Sequence, residues 1–216
     1  MASLPAVWAG SRDFKATRGD QGNVQLFVLL DDSSRSSSLG VQLPELRKFV
    51  ESLPPNVEVG IGYMQNGRVA PAQAITEDHE KAAAALRLPL GTPGGNGSPY
   101  FALSDLSKHW QASQAGQRVV LMLTDGVDRY YDTSEVDDPY VDEAIHDAKQ
   151  NGVTVYSIYL SGAGLYGLGG RQRLFAQSRL NQVSEETGGH AYFQGLSDPV
   201  SIAPFLTDFR NRLERQ

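Results

Sequence analysis

The chain has 216 residues, 40% of them hydrophobic and 20% charged, which is enough apolar material for one folded core and excludes disorder over most of the length. Nineteen basic against 25 acidic side chains leave a net charge of −6, which argues against a generic nucleic-acid surface and against an anionic-membrane surface. Cysteine is absent, so a disulfide scaffold, a Cys-ligated zinc or iron–sulfur centre and a thiol nucleophile are excluded.

Residues 1–23 are polar and Gly-rich and read as a lead-in, with a single domain expected over 24–216. The opening MASLPAVWAGSRDF has no basic leader followed by a long apolar stretch, so no signal peptide is expected in it. Apolar runs such as Leu26–Leu30 and Val119–Leu123 fall far short of the roughly 20 residues of a membrane helix, and no membrane insertion is expected. Val24–Leu30 is a near-continuous apolar run of the kind that forms a strand buried on both faces. Leu39–Leu53 carries apolar residues at helical spacing and is stopped by Pro54-Pro55. Val57–Met64 and Val69–Ile75 flank Asn66-Gly67, a hairpin turn signal. Thr76 is the expected cap of a helix running through the alanines to Leu86.

Pro89–Pro99 reads as loop and Tyr100–Trp110 as helix. Arg118–Thr124 is a second buried-type strand, followed by Asp125. Asp138-Pro139 opens a helix as cap and first position, and Gly152 ends it. Thr154–Leu160 is a third core strand; a Gly-rich loop, Ser161–Gly170, leads into a helix to Glu186. His190–Gln194 is a short strand and Val200–Arg215 a closing helix. Strands alternating with helices, with one hairpin among them, predict a three-layer α/β/α sandwich. Its central sheet is mostly parallel with one antiparallel edge strand, a Rossmann-like arrangement.

In open α/β sheets ligands bind beyond the carboxyl ends of the strands. Two of the buried strands end there in acid, at Asp31-Asp32 and at Asp125, and Ser33, Ser34, Ser36, Ser37 and Ser38 follow the first pair. Carboxylates beside hydroxyls are hard oxygen donors suited to Mg²⁺, Mn²⁺ or Ca²⁺. With few carboxylates, such a cation keeps affinity for an acidic side chain of a partner. The plain alternative is that Asp31 and Asp32 cap the following helix and that the serines form a solvated loop.

The order of elements, together with LLDDSSRSSS, GGNGSPYFALSDL, RVVLMLTDG, GVTVYSIYL and EETGGHAYFQG, resembles the von Willebrand factor type A domain, and in particular its bacterial, acidobacterial-type subfamily. The resemblance covers nearly the whole chain from Val24. It implies a non-enzymatic protein-binding or adhesion module, secreted or periplasmic, with a metal-ion-dependent adhesion site. Carried onto this sequence, that site takes Asp31 and Ser33 as ligands, Ser98 as the nearest hydroxyl in the second loop, and Asp125 directly or through water. Two positions depart from the family's pattern. The third residue of the first motif is Arg35 rather than Ser, and the second loop lacks its Thr. A register of Asp32, Ser34 and Ser36 restores the spelling, but the buried run ends at Leu30, which favours Asp31 as the strand-end acid. Arg35 would repel a cation, or pair with Asp31 or Asp125 in its place. The partner, another protein, is expected to meet this rim at Arg35, Asn96, Asp128, Tyr130 and Tyr131.

The enzymatic alternative, a metal-dependent hydrolase or a nucleotide-cofactor enzyme, has weaker signals. Gly162–Gly167 spells GxGxxG, but it follows a late strand and no strand-end acid lies about 20 residues on. No G-x-S-x-G elbow occurs, and the four histidines are scattered without ligand spacing.

Overall fold

The computed structural model describes residues 23–92, 97–110, 116–130, 138–161 and 169–215. Among these residues six strands form one sheet in the order β3-β2-β1-β4-β5-β6. They are β1 Val24–Asp31, β2 Val57–Gln65, β3 Arg68–Thr76, β4 Gln117–Thr124, β5 Val153–Tyr159 and β6 Ala191–Tyr192. All neighbours run parallel except β2 and β3, the antiparallel edge hairpin. The sandwich expected from the alternation of elements is therefore present.

Helices cover both faces. On one face pack α1 (Ser36–Glu51), α2 (His79–Ala84) and α6 (Ala203–Leu213); on the other pack α3 (Pro99–Lys108), α4 (Pro139–Gln150) and α5 (Gly170–Glu186). The central strand β1 is buried along its whole length, which is why it reads as an apolar run and not as an alternating one. Its side chains still alternate between the two cores. Leu26, Val28 and Leu30 join the α1/α2/α6 side, while Phe27 and Leu29 join the α3/α4/α5 side.

Two glycines of β2 make this packing possible. A Cβ on Gly60 or Gly62 would come within 2.6–2.9 Å of the Phe27 ring, so the ring lies over bare backbone. Some local expectations fail at element ends. Thr76 ends β3, and the cap of α2 is Asp78, whose carboxylate accepts from the Lys81 amide. The last strand spans only Ala191–Tyr192, and α1 starts at Ser36, three residues earlier than its apolar pattern.

Candidate functional site

The strands that end in acid are direct neighbours. β1 and β4 pair in parallel with Leu30 opposite Leu123, so Asp31 and the Thr124–Asp125 step leave the sheet side by side. The Thr124 hydroxyl donates to Asp31 Oδ2 at 2.9 Å. The other carboxylate oxygen, Oδ1, accepts from the Ser33 amide at 2.9 Å and the Ser33 hydroxyl at 2.7 Å. Asp31 is therefore an organiser of the first loop as well as a strand-end acid.

Asp32 points elsewhere, as the period of two dictates. Its carboxylate takes the Arg87 guanidinium at 2.7 Å, the Leu90 amide at 3.1 Å and the Gln65 side-chain amide at 2.6 Å. These partners hold its carboxyl below the usual carboxylate range against the opposing effect of burial. The alternative register is thus not assembled with the second acid. Asp32 pins the 87–91 loop, Ser34 is buried beside it in sequence, and Ser36 is the exposed first residue of α1.

Asp125 is fully buried. Burial pushes its carboxyl up to about 6, Asp31 pushes in the same direction, and a guanidinium holds the rise in check. That guanidinium belongs to Arg129. Nη2 donates to Asp125 Oδ2 at 2.7 Å, and Nη1 reaches Oδ1 at 3.5 Å and the Val127 carbonyl at 3.2 Å. Here the sequence expectation is corrected: Arg35 occupies the exposed N-cap position of α1, and the arginine on Asp125 is the one four residues along the same loop. The glycine of the Thr-Asp-Gly step is needed there. Gly126 has φ +69, and a Cβ would come within 2.9 Å of α5 at Leu180 and the Ala176 carbonyl.

The second loop closes the site from the α3 side. Ser98 is the N-cap of α3, accepting from the Phe101 amide, with Pro99 at the first position. Its hydroxyl donates to Asp128 Oδ2 at 2.7 Å, and the Arg129 amide donates to the Gly97 carbonyl at 3.0 Å. Asp128 is buried, and its other oxygen accepts from the Tyr130 amide at 2.7 Å. It positions the rim instead of offering itself to a partner. Tyr130 is 48% exposed, with its ring edge-on to Phe101 at 5.6 Å. Asn96, Tyr131 and the glycine-rich Gly162–Gly167 lie outside the described residues.

Together Asp31, Ser33, Ser98 and Arg129, with Met64, Gly67, Gly97 and Pro99, line a notch of about 20 Å³. The donors do not fit a divalent cation as they stand. Asp125 is committed to a guanidinium, the Ser98 hydroxyl to Asp128, and both oxygens of Asp31 to neighbouring hydroxyls. Among the described residues no three His, Cys, Asp or Glu side chains come together as a metal-holding group. Sequence reasoning missed Arg129 and Thr124. The T-D-G-V-D-R spacing held both, but nothing in it says that the arginine folds back.

No family model matches the chain, and no curated protein matches it. Solved structures do. BatB, a conserved hypothetical protein from Bacteroides thetaiotaomicron, superposes with a TM-score of 0.61 at 12% identity, covering 89% of this chain and 100% of that one. An aerotolerance-related membrane protein from Bacteroides fragilis, solved with multiple mutations to serines, gives 0.59 at 14% identity, with coverage of 89% and 100%. The chain has a von Willebrand factor A-type fold. The TFIIH p34 N-terminal domain is similar to it at 0.54 and 14% identity, over 88% of this chain and 98% of that one. At such identities the likeness speaks for the fold alone, and the acidobacterial-type subfamily rests on the sequence resemblance. No helix among the described residues of this von Willebrand factor A-type chain is long and apolar enough to cross a membrane.

Proposed function

We propose that this chain is a non-enzymatic protein-binding module, of the adhesion kind, whose partner meets the rim formed by the loops after β1 and β4 and before α3. The supporting observation is one of size. The notch between Asp31, Ser33, Ser98 and Arg129 measures about 20 Å³, room for about one water molecule. Pockets for small substrates and cofactors run to roughly 300–1,000 Å³. A shallow polar rim on a rigid sheet end, with an exposed tyrosine beside it, suits the broad contact of a protein. The same comparison disfavours the hydrolase and the nucleotide-cofactor enzyme at this crevice.

On this reading Ser33 and Tyr130 touch the partner, Arg35 borders the contact, and Asp31, Ser98 and Asp128 hold the rim's shape. A photo-crosslinking residue at Tyr130, compared with one at Glu51 on the opposite end of the sheet, tests it in extracts of the source cell. A discrete crosslinked species from position 130, absent from position 51, is the expected result. Equal labelling from both ends would remove the case for this face.

A further inference from the structure

We infer that Arg129 is the resident cation of this rim: its guanidinium takes the place a divalent ion would hold between the acids that end β1 and β4, and it makes the face independent of metal. Three observations converge. The guanidinium approaches Asp125 through both terminal nitrogens, at 2.7 and 3.5 Å, while a third contact to the Val127 carbonyl at 3.2 Å fixes its plane. Its backbone is clamped as well, by the amide donated to Gly97, so the side chain starts from a tethered point. Arg129 also lines the notch with Asp31, Ser33 and Ser98, and its side chain is only 13% exposed. It is thus part of the interior of the rim and not a surface arginine passing over it.

The charge balance carries the consequence. A divalent cation between two carboxylates neutralises them and retains free coordination positions, so a partner's carboxylate can complete it. One guanidinium, paired with Asp125 and lining the same notch as Asp31, leaves the three groups with an excess negative charge, and its donors are already directed at Asp125 and Val127. A cation entering the notch meets a fixed positive charge. An incoming acid meets Asp31. The partner that fits is therefore one that donates hydrogen bonds to the rim, in place of the acidic side chain that the sequence led us to expect.

This inference rests on the proposed binding face for its biological meaning, but its test needs no partner, so its failure leaves that reading standing. Thermal melts of the full chain in chelator and in millimolar Mg²⁺, Mn²⁺ or Ca²⁺ are expected to superimpose. An upward shift of about 5–10 °C with any of these ions, lost in Asp31→Ala, would overturn the inference. Arg129→Ser frees Asp125 and is expected to acquire a cation-dependent rise of about 5 °C. If that variant folds and stays blind to every ion, the guanidinium is not standing in for a metal. Should it not fold, Mn²⁺ added to the unmodified chain decides the matter. The amide resonances of Ser33 and Val127 are expected to stay sharp, and selective broadening of both would show a metal seated beside Arg129.

Discussion

Asp125 and Arg129 form a largely buried ion pair, the carboxylate fully enclosed and the arginine side chain 13% exposed. Removing the cation strands the carboxylate, so Arg129→Ala is expected to lower unfolding stability in urea by about 3–5 kcal/mol at neutral pH. The loss should shrink on acidification, because a neutral Asp125 no longer needs its partner. The carboxyl also leaves a signature in the parent chain. Its folded value of about 6 lies above the ordinary 3.8, so between roughly pH 4 and 6 the folded state holds a proton that the unfolded state has released. Its contribution therefore falls as pH rises through that window, and the full penalty is present above about pH 6. Asp125→Asn should flatten this limb when stabilities at pH 4.5 and 7 are compared with the parent. Asp32 behaves in the opposite sense. Arg87, Gln65 and the Leu90 amide hold its carboxyl low, so it favours folding above its ordinary value and loses that effect as pH falls through its lowered one.

At the level of elements, the period of two in β1 decides which acid serves which side. Phe27 and Leu29 face the α3/α4/α5 core, Leu30 faces the other, and Asp31 and Asp32 inherit that split. The register preference for Asp31 was legible because the apolar run ends at Leu30. The partners of each acid were not, since Arg87 stands 55 residues from Asp32 and Thr124 stands 93 from Asp31. Composition likewise conceals the cavity that Gly60 and Gly62 open for Phe27. Gly62→Ala should cost about 1–3 kcal/mol by overpacking, and Phe27→Leu in the same chain should recover part of it; additive losses in a double-mutant cycle would refute the contact. Caps were readable in part, since Thr76 lies in β3 and Asp78 caps α2. Asp138-Pro139 opens α4 as its residue types require, yet the same aspartate also lies 3.3 Å from the buried Arg179 guanidinium, a pairing that no local pattern contains.

Across the whole molecule, one sheet carries two cores. The six strands are continuous from β3 to β6, and β1 and β4 contribute side chains to both apolar clusters. Neither layer of helices can detach without exposing the face it shares. The domain should therefore unfold in a single transition, with far-UV and near-UV signals superimposable in denaturant; separated midpoints would mean the layers are independent. The exposed edge is blunted in two ways that limit sheet-to-sheet association. Pro71 removes an amide from β3, and Asp105 of α3 accepts from the Val69 amide at 3.0 Å.

What the sequence determined by itself was the order of layers and the place where chemistry had to gather. Buried strands announce themselves as apolar runs, parallel strands need helical crossovers, and acids at the ends of such runs mark where the sheet gives way to its loops. What tertiary structure alone decided was the charge at that rim. An arginine side chain is long and its direction is set by the walls around it. Whether Arg129 points to solvent or folds back on Asp125 depends on the Gly97 carbonyl that clamps it and on the burial that makes an unpaired carboxylate there so costly.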